Sequence, residues 1–87
     1  MNRTQSSVAR VYCVDLAKNK FQVNTWSTDG VRLKVATLSR SKFDEFFSPQ
    51  RSGGARVVME ACASAHHWAR TLQARGYQVK LVPPQFV

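Results

Sequence analysis

Apolar and polar positions alternate with a period of two over three successive stretches, switch to a helical period, and then return to short strand-like runs. The first stretch, Arg10 to Ala17, reads RVYCVDLA, and its strand starts at Val8 or Arg10 and ends at Leu16. It puts Val11, Cys13 and Asp15 on one face and Tyr12, Val14 and Leu16 on the other. Both faces are mostly apolar, the pattern of a central strand covered on two sides. Lys18-Asn19-Lys20 reads as a tight polar turn. Phe21 to Trp26 alternates, with Phe21, Val23 and Thr25 together. Val31 to Leu38 alternates again, with Val31, Leu33 and Val35 opposite Arg32 and Lys34. A two-residue Asp29-Gly30 loop would set the two apolar faces out of step. A three-residue loop, Thr28 to Gly30 with Gly30 left-handed, pairs Phe21, Val23 and Thr25 with Thr37, Val35 and Leu33, and is therefore expected.

The period changes at Ser39. Phe43, Phe46 and Phe47 fall at i, i+3 and i+4, so a helix is predicted over Ser39 to Phe47, with Ser39 as N-cap and Leu38 stapled onto Phe43. Pro49 to Gly54 reads as a loop. Arg56 to Glu60, RVVME, is a short buried strand that ends, like the first, in a carboxylate. A helix from Ser64 to Arg75 follows, with Ala65, Trp68, Ala69 and Leu72 as its apolar stripe and Gly76 as its stop. Tyr77 to Val82 is the last strand, ended by Pro83-Pro84.

The resulting order, β-β-β-α-β-α-β, predicts an α/β fold. The first three strands are antiparallel neighbours, and helical crossovers add two strands parallel to the first. That is the order of an RNase H-like core, a mixed five-stranded sheet running 3-2-1-4-5. Residues 1–9 read as a flexible leader and 10–87 as one small domain, truncated after the fifth strand.

Charge narrows the partners. Thirteen Lys and Arg against five Asp and Glu give a formal net charge of +8 on 87 residues, with a pI near 10.4. This favours phosphate-bearing partners, nucleic acid first. An apolar fraction of 44% argues against wholesale disorder. The two cysteines, Cys13 and Cys62, sit in apolar, strand-like surroundings and read as buried, reduced thiols of a cytosolic protein. No apolar run is long enough for a membrane span.

The candidate chemistry lies at two strand ends. In the predicted sheet, strands one and four are parallel neighbours about 4.8 Å apart. Asp15 and Glu60 end them, so the two carboxylates should meet at one rim. Such a pair repels itself unless a divalent cation lies between; hard oxygen donors and phosphate substrates suit Mg²⁺, or Mn²⁺ as a substitute. Two acids are few for a two-metal site.

At these residues a resemblance appears. VYCVDLAKNKFQV, followed by VVMEACASAHHWARTLQARGYQVKLVPPQFV, resembles the N-terminal domain of the DEDD transposases of bacterial insertion sequences. This is the IS one-ten group, which includes the Piv DNA invertase. The specific pieces are Asp15-Leu16-Ala17-Lys18-Asn19, Met59-Glu60-Ala61-Cys62 and Val82-Pro83-Pro84-Gln85, and the likeness covers nearly everything after Arg10. The resemblance implies a RuvC-like fold, DNA recombination and transposition, and a bacterial cytoplasmic setting. It also implies four acids that hold Mg²⁺, of which Asp15 and Glu60 match the first two, as catalytic and metal ligands. The other two, a D-x-x-D pair, and a separate domain with a nucleophilic serine lie beyond the matched segment. The isolated chain is therefore expected to be an inactive fragment with weak metal affinity. The family is further associated with a structured guide RNA. Apolar surface left uncovered by missing helices predicts self-association, as a dimer or higher.

Other constellations are thinner. Cys62 and His66 at i and i+4, with His67 beside them and Cys13 nearby, suggest zinc but fall short of four ligands. Trp26 and Tyr12 could stack on bases, though packing accounts for both. Arg32, Lys34, Arg40, Lys42, Arg51, Arg70 and Arg75 are candidate phosphate contacts, though each taken singly reads better as a solvated surface charge. Two further readings stand beside the transposase: a non-catalytic basic module that binds nucleic acid or mediates dimerisation, and a nucleotide-binding domain of the actin type. The latter would need a glycine-rich loop after the first strand, and Lys18-Asn19-Lys20 has no glycine.

Overall fold

Three antiparallel strands open the structure, a computed structural model that describes residues 10–16 and 20–83. They are β1 (Arg10–Leu16), β2 (Phe21–Ser27) and β3 (Arg32–Leu38). Helices α1 (Arg40–Phe46) and α2 (Pro49–Ser52), strand β4 (Arg56–Glu60), helix α3 (Ala63–Ala74) and strand β5 (Gln78–Val82) follow. The sheet order is β3-β2-β1-β4-β5, with β4 parallel to β1 and β5 parallel to β4. The expected α/β class and strand order are therefore present. The leader, Ala17-Lys18-Asn19 of the first motif (with Lys18-Asn19 of the expected first turn), and Pro84-Gln85 of the third motif lie outside the described residues.

The β2–β3 hairpin has the expected three-residue loop but not the expected register. The Gly30 amide donates to the Ser27 carbonyl at 3.1 Å, the Ser27 amide donates to Val31 at 2.9 Å, and Gly30 takes a φ of 93°. Pairing then slips. Trp26 faces Arg32, whereas Thr25 faces Lys34, which leaves Leu33 as an extra residue. Phe21, Val23 and Thr25 accordingly face Leu38, Ala36 and Lys34 rather than Thr37, Val35 and Leu33. One inserted residue turns every later side chain to the other side of the sheet. The bulge brings Leu38 against the core while leaving Leu33 and Val35 half exposed.

Among the described residues the core lies on one side of the sheet only. Tyr12, Val14, Phe21, Val23, Val57 and Met59 meet Phe43 and Phe47 from the α1 segment and Ala65, Trp68, Ala69 and Leu72 from α3. The phenylalanine stripe and the α3 stripe are both core, as their spacing predicted. The rings interlock edge to face: Phe43 lies 4.5 Å from Phe21, 4.9 Å from Phe47 and 4.8 Å from Trp68. Tyr12 is buried against Phe46 and Phe47, so base stacking is closed to it. The expectation that β1 is covered on both faces is corrected. Val11 and Cys13 are half-buried, Asp15 is exposed, and the core cluster takes no residue from their side of the sheet. Apolar alternation measures avoidance of water, not the number of layers present.

Local signals set the helix ends. The Ser39 hydroxyl accepts from the Lys42 amide at 3.3 Å, as an N-cap should. Pro49 to Gly54, expected as a loop, contains the helical turn α2, with Pro49 in its first turn and the Ser52 hydroxyl donating to the Pro49 carbonyl at 2.8 Å. After α3, the Gly76 amide donates to Gln73 and the Tyr77 amide to Leu72, closing a Schellman motif. Gly76 sits at φ +102°, and a Cβ there would lie 3.0 Å from the Ser52 hydroxyl. Gly76→Ala should therefore cost about 1–2 kcal/mol in urea denaturation, from the left-handed backbone alone. An unchanged midpoint would refute that.

The same motif buries Tyr77, whose hydroxyl donates to the Ser48 carbonyl at 2.7 Å. Burial, aided by Tyr12 and opposed by Arg51 and Arg75, pushes its phenol up to about 12 from an ordinary value of 10.0. Between those values the unfolded chain has released the proton and the folded chain still holds it. Stability from this group is complete below pH about 10 and is lost as the pH rises to about 12. Tyr77→Phe should flatten that alkaline limb of the stability profile, measured by denaturant midpoints across pH. An identical limb in both proteins would assign it elsewhere.

Candidate metal site at the strand ends

The two sequence-predicted acids reach the same end of the sheet. β1 and β4 pair in parallel from Val11 with Arg56 to Val14 with Met59. Asp15 and Glu60 each follow the last pair by one residue. Tyr12, Val14, Val57 and Met59 point into the core, so alternation turns Asp15 and Glu60 to the opposite side, which carries no helix among the described residues. Gln22 of β2 pairs with Asp15 and Val82 of β5 with Glu60, which completes a four-strand rim. The Ala61 amide donates to the Val82 carbonyl at 2.8 Å, holding the backbone after Glu60 to β5 before it turns into α3. Asp15 is exposed and Glu60 half-buried. Among the described residues neither is in a salt bridge; the ion pair there joins Arg75 to Asp44 at 2.6 Å.

The donor chemistry fits a hard divalent cation. Magnesium is commonly held by one or two carboxylates, with waters and substrate phosphates filling its octahedron. Asp15 and Glu60 supply two carboxylates at one end of the sheet. No group of three or more His, Cys, Asp or Glu residues comes together among the described residues.

The thiols and imidazoles depart from expectation. Cys62 is exposed at the N-cap position of α3, its sulfur 3.6 Å from the Ser64 hydroxyl, so it is not a buried thiol. Ending β4 at Glu60 carries Cys62 out of the sheet. Cys13 is half-buried, and that burial raises its thiol pKa. His66 and His67 are exposed on α3. Trp26 is half-buried.

Arg75 is more than a surface charge. Its guanidinium donates to the Asp44 and Phe47 carbonyls, both at 3.0 Å, and to the Asp44 carboxylate. It thereby closes the C-terminal end of α1 from α3. Sequence spacing carried no sign of this, because the partners lie 31 and 28 residues away.

No protein-family profile matches the chain. Individual relatives do. The chain is 40% identical over 74 residues to a family 20 transposase of Pseudomonas aeruginosa, which covers 85% of this chain and 21% of that protein. It is 38% identical over 74 residues to the transposase for insertion sequence element IS1328 of Yersinia enterocolitica, covering 85% of the chain and 22% of the relative. It is 32% identical over 78 residues to the transposase for insertion sequence element IS1111A of Coxiella burnetii, covering 90% and 21%. These relatives support kinship with the transposases of insertion sequences. The chain spans about a fifth of their length. No helix among the described residues is long and apolar enough to cross a membrane.

Proposed function

We propose that the chain is part of the RNase H-like, RuvC-like catalytic domain of a DEDD transposase, with Asp15 and Glu60 as two of its four metal-holding acids. The observation that carries this reading is the β1–β4 register, which brings two acids 45 residues apart to one rim and one side of the sheet. The relatives named as transposases, two of them of insertion sequence elements, support it independently.

In this reading the protein's share of the work is positioning. The parallel strands fix the two carboxylates with respect to each other, and the half-buried Glu60 is held by β5 through its neighbour Ala61. A bound Mg²⁺ supplies Lewis-acid charge for phosphodiester chemistry on DNA. The excess of eight positive charges draws a phosphate backbone toward the protein. A guide RNA follows from the family resemblance alone. The exposed Val31, Leu33 and Val35 support self-association. The bacterial cytoplasm is the implied setting.

The test uses a full-length transposase that carries this segment, supplied with DNA bearing its element ends. Strand cleavage or joining should require Mg²⁺ or Mn²⁺, stop in chelator, and return when the metal is restored. Cleavage or joining that persists in chelator would overturn the reading. No cleavage under any metal condition, with DNA binding that ignores metal and survives loss of both acids, would favour the second reading, a non-catalytic binding module, which the net charge of +8 supports without reference to the acids.

A further inference from the structure

A cleft opens on the helical layer, away from the acid rim. It has a volume of about 670 Å³ and lies between α1 and α3. Ser39, Arg40 and Ser41 form one wall; His67, Trp68 and Thr71 form the other. The Asp44–Arg75 ion pair closes one end.

The topology joins this cleft to the rim. Leu38, the residue before Ser39, pairs with Phe21, and Phe21 pairs with Leu16, the neighbour of Asp15. Helix α3 starts three residues after Glu60. Both helices therefore start at the end of the sheet that holds the acids, and the cleft between them leads away from it.

The cleft's chemistry is that of an anion track. The carboxylate of Asp44 is already answered by Arg75 at 2.6 Å. The guanidinium of Arg40 lies over the Trp68 ring at 5.9 Å, and the His67 ring meets the same indole at 5.4 Å. Stacking of this kind orients a guanidinium while leaving its N–H edges free for phosphate oxygens. The Ser39 and Ser41 hydroxyls, 3.4 Å apart, share the same mouth, and with Asp44 paired to Arg75 the unanswered charge of the lining is that of Arg40.

We propose that a phosphodiester backbone leaving the acid rim runs through the α1–α3 cleft, held by Arg40 and His67 with the Ser39 and Ser41 hydroxyls. This rests on the reading that the rim acts on nucleic acid. Fluorescence anisotropy of a labelled DNA duplex titrated with this chain, in chelator and across a salt series, tests it. Arg40→Gln combined with His67→Gln should weaken binding about tenfold and lower the slope of log affinity against log salt by about one. Arg32→Gln combined with Lys34→Gln, which removes charge from β3 instead, should change the slope less. Equal effects from both pairs, no effect from the cleft pair, or no duplex binding by the parent chain at low salt would overturn the proposal. Displacement of the duplex by inorganic phosphate at matched ionic strength would assign the cleft to a single phosphate group and also overturn it. Thermal midpoints of both variants confirm folding. Because metal is absent from this assay, loss of the acid-rim reading leaves its result standing, and failure of the cleft leaves the rim untouched.

Discussion

Phe43→Ala should leave the domain largely unfolded. Phe43 is fully buried and its ring touches Phe21, Phe47 and Trp68, so it joins β2, the α1 segment and α3 at one point. Removing a buried phenylalanine costs about 3–5 kcal/mol, from lost transfer energy and the cavity left behind. A domain of this length has roughly 4–13 kcal/mol in total, and one with helices on a single side of its sheet belongs near the low end. Phe46→Ala is the control. Phe46 is only half-buried, under the Arg51 guanidinium at 4.5 Å, and its loss should cost about 1–2 kcal/mol. Urea titrations followed by tryptophan emission read both, since Trp68 lies beside Phe43. Equal costs would show that the interlocked rings are not the centre of the fold.

Asp15→Asn and Glu60→Gln should each lower the metal-dependent activity of the full-length transposase by about a hundredfold or more, with the fold intact. Changes to groups that merely orient metal ligands already cost about 10–100-fold, so loss of a ligand should cost at least the upper figure. Neither acid belongs to the core cluster or to a salt bridge among the described residues, which is why little stability should be lost. The readouts are strand-joining rate and denaturant midpoint. A variant that unfolds would show a structural role for that acid, and one that keeps full activity would remove it from the site.

Most of the architecture was legible because burial follows periodicity. The stripes Phe43 and Phe47, and Ala65, Trp68, Ala69 and Leu72, lie where their spacing placed them, and β4 spans Arg56–Glu60 as expected. The β3 register was not legible. Alternation favours pairing Phe21 with Thr37, and a single bulged residue, Leu33, which alternation does not reveal, shifts the pairing to Phe21 with Leu38. The exposure of Cys62 was missed because its apolar neighbours Ala61 and Ala63 read as strand-like surroundings, although the predicted strand ends at Glu60; Cys62 instead stands at the exposed N-cap position of α3. The two acids could be named from strand order alone, since parallel neighbours with matched ends must share a rim. The cleft between α1 and α3 could not, because it depends on how two helices sit side by side.

The measurement closest to the central claim is a double-variant cycle on metal affinity. Calorimetric titration of Mn²⁺ into the full-length protein would compare the parent, Asp15→Asn, Glu60→Gln and the double variant. Two carboxylates that share one ion are coupled, so the double variant should bind hardly more weakly than the worse single variant. Independent, additive losses, or parental affinity in either single variant, would contradict a shared ion at this rim.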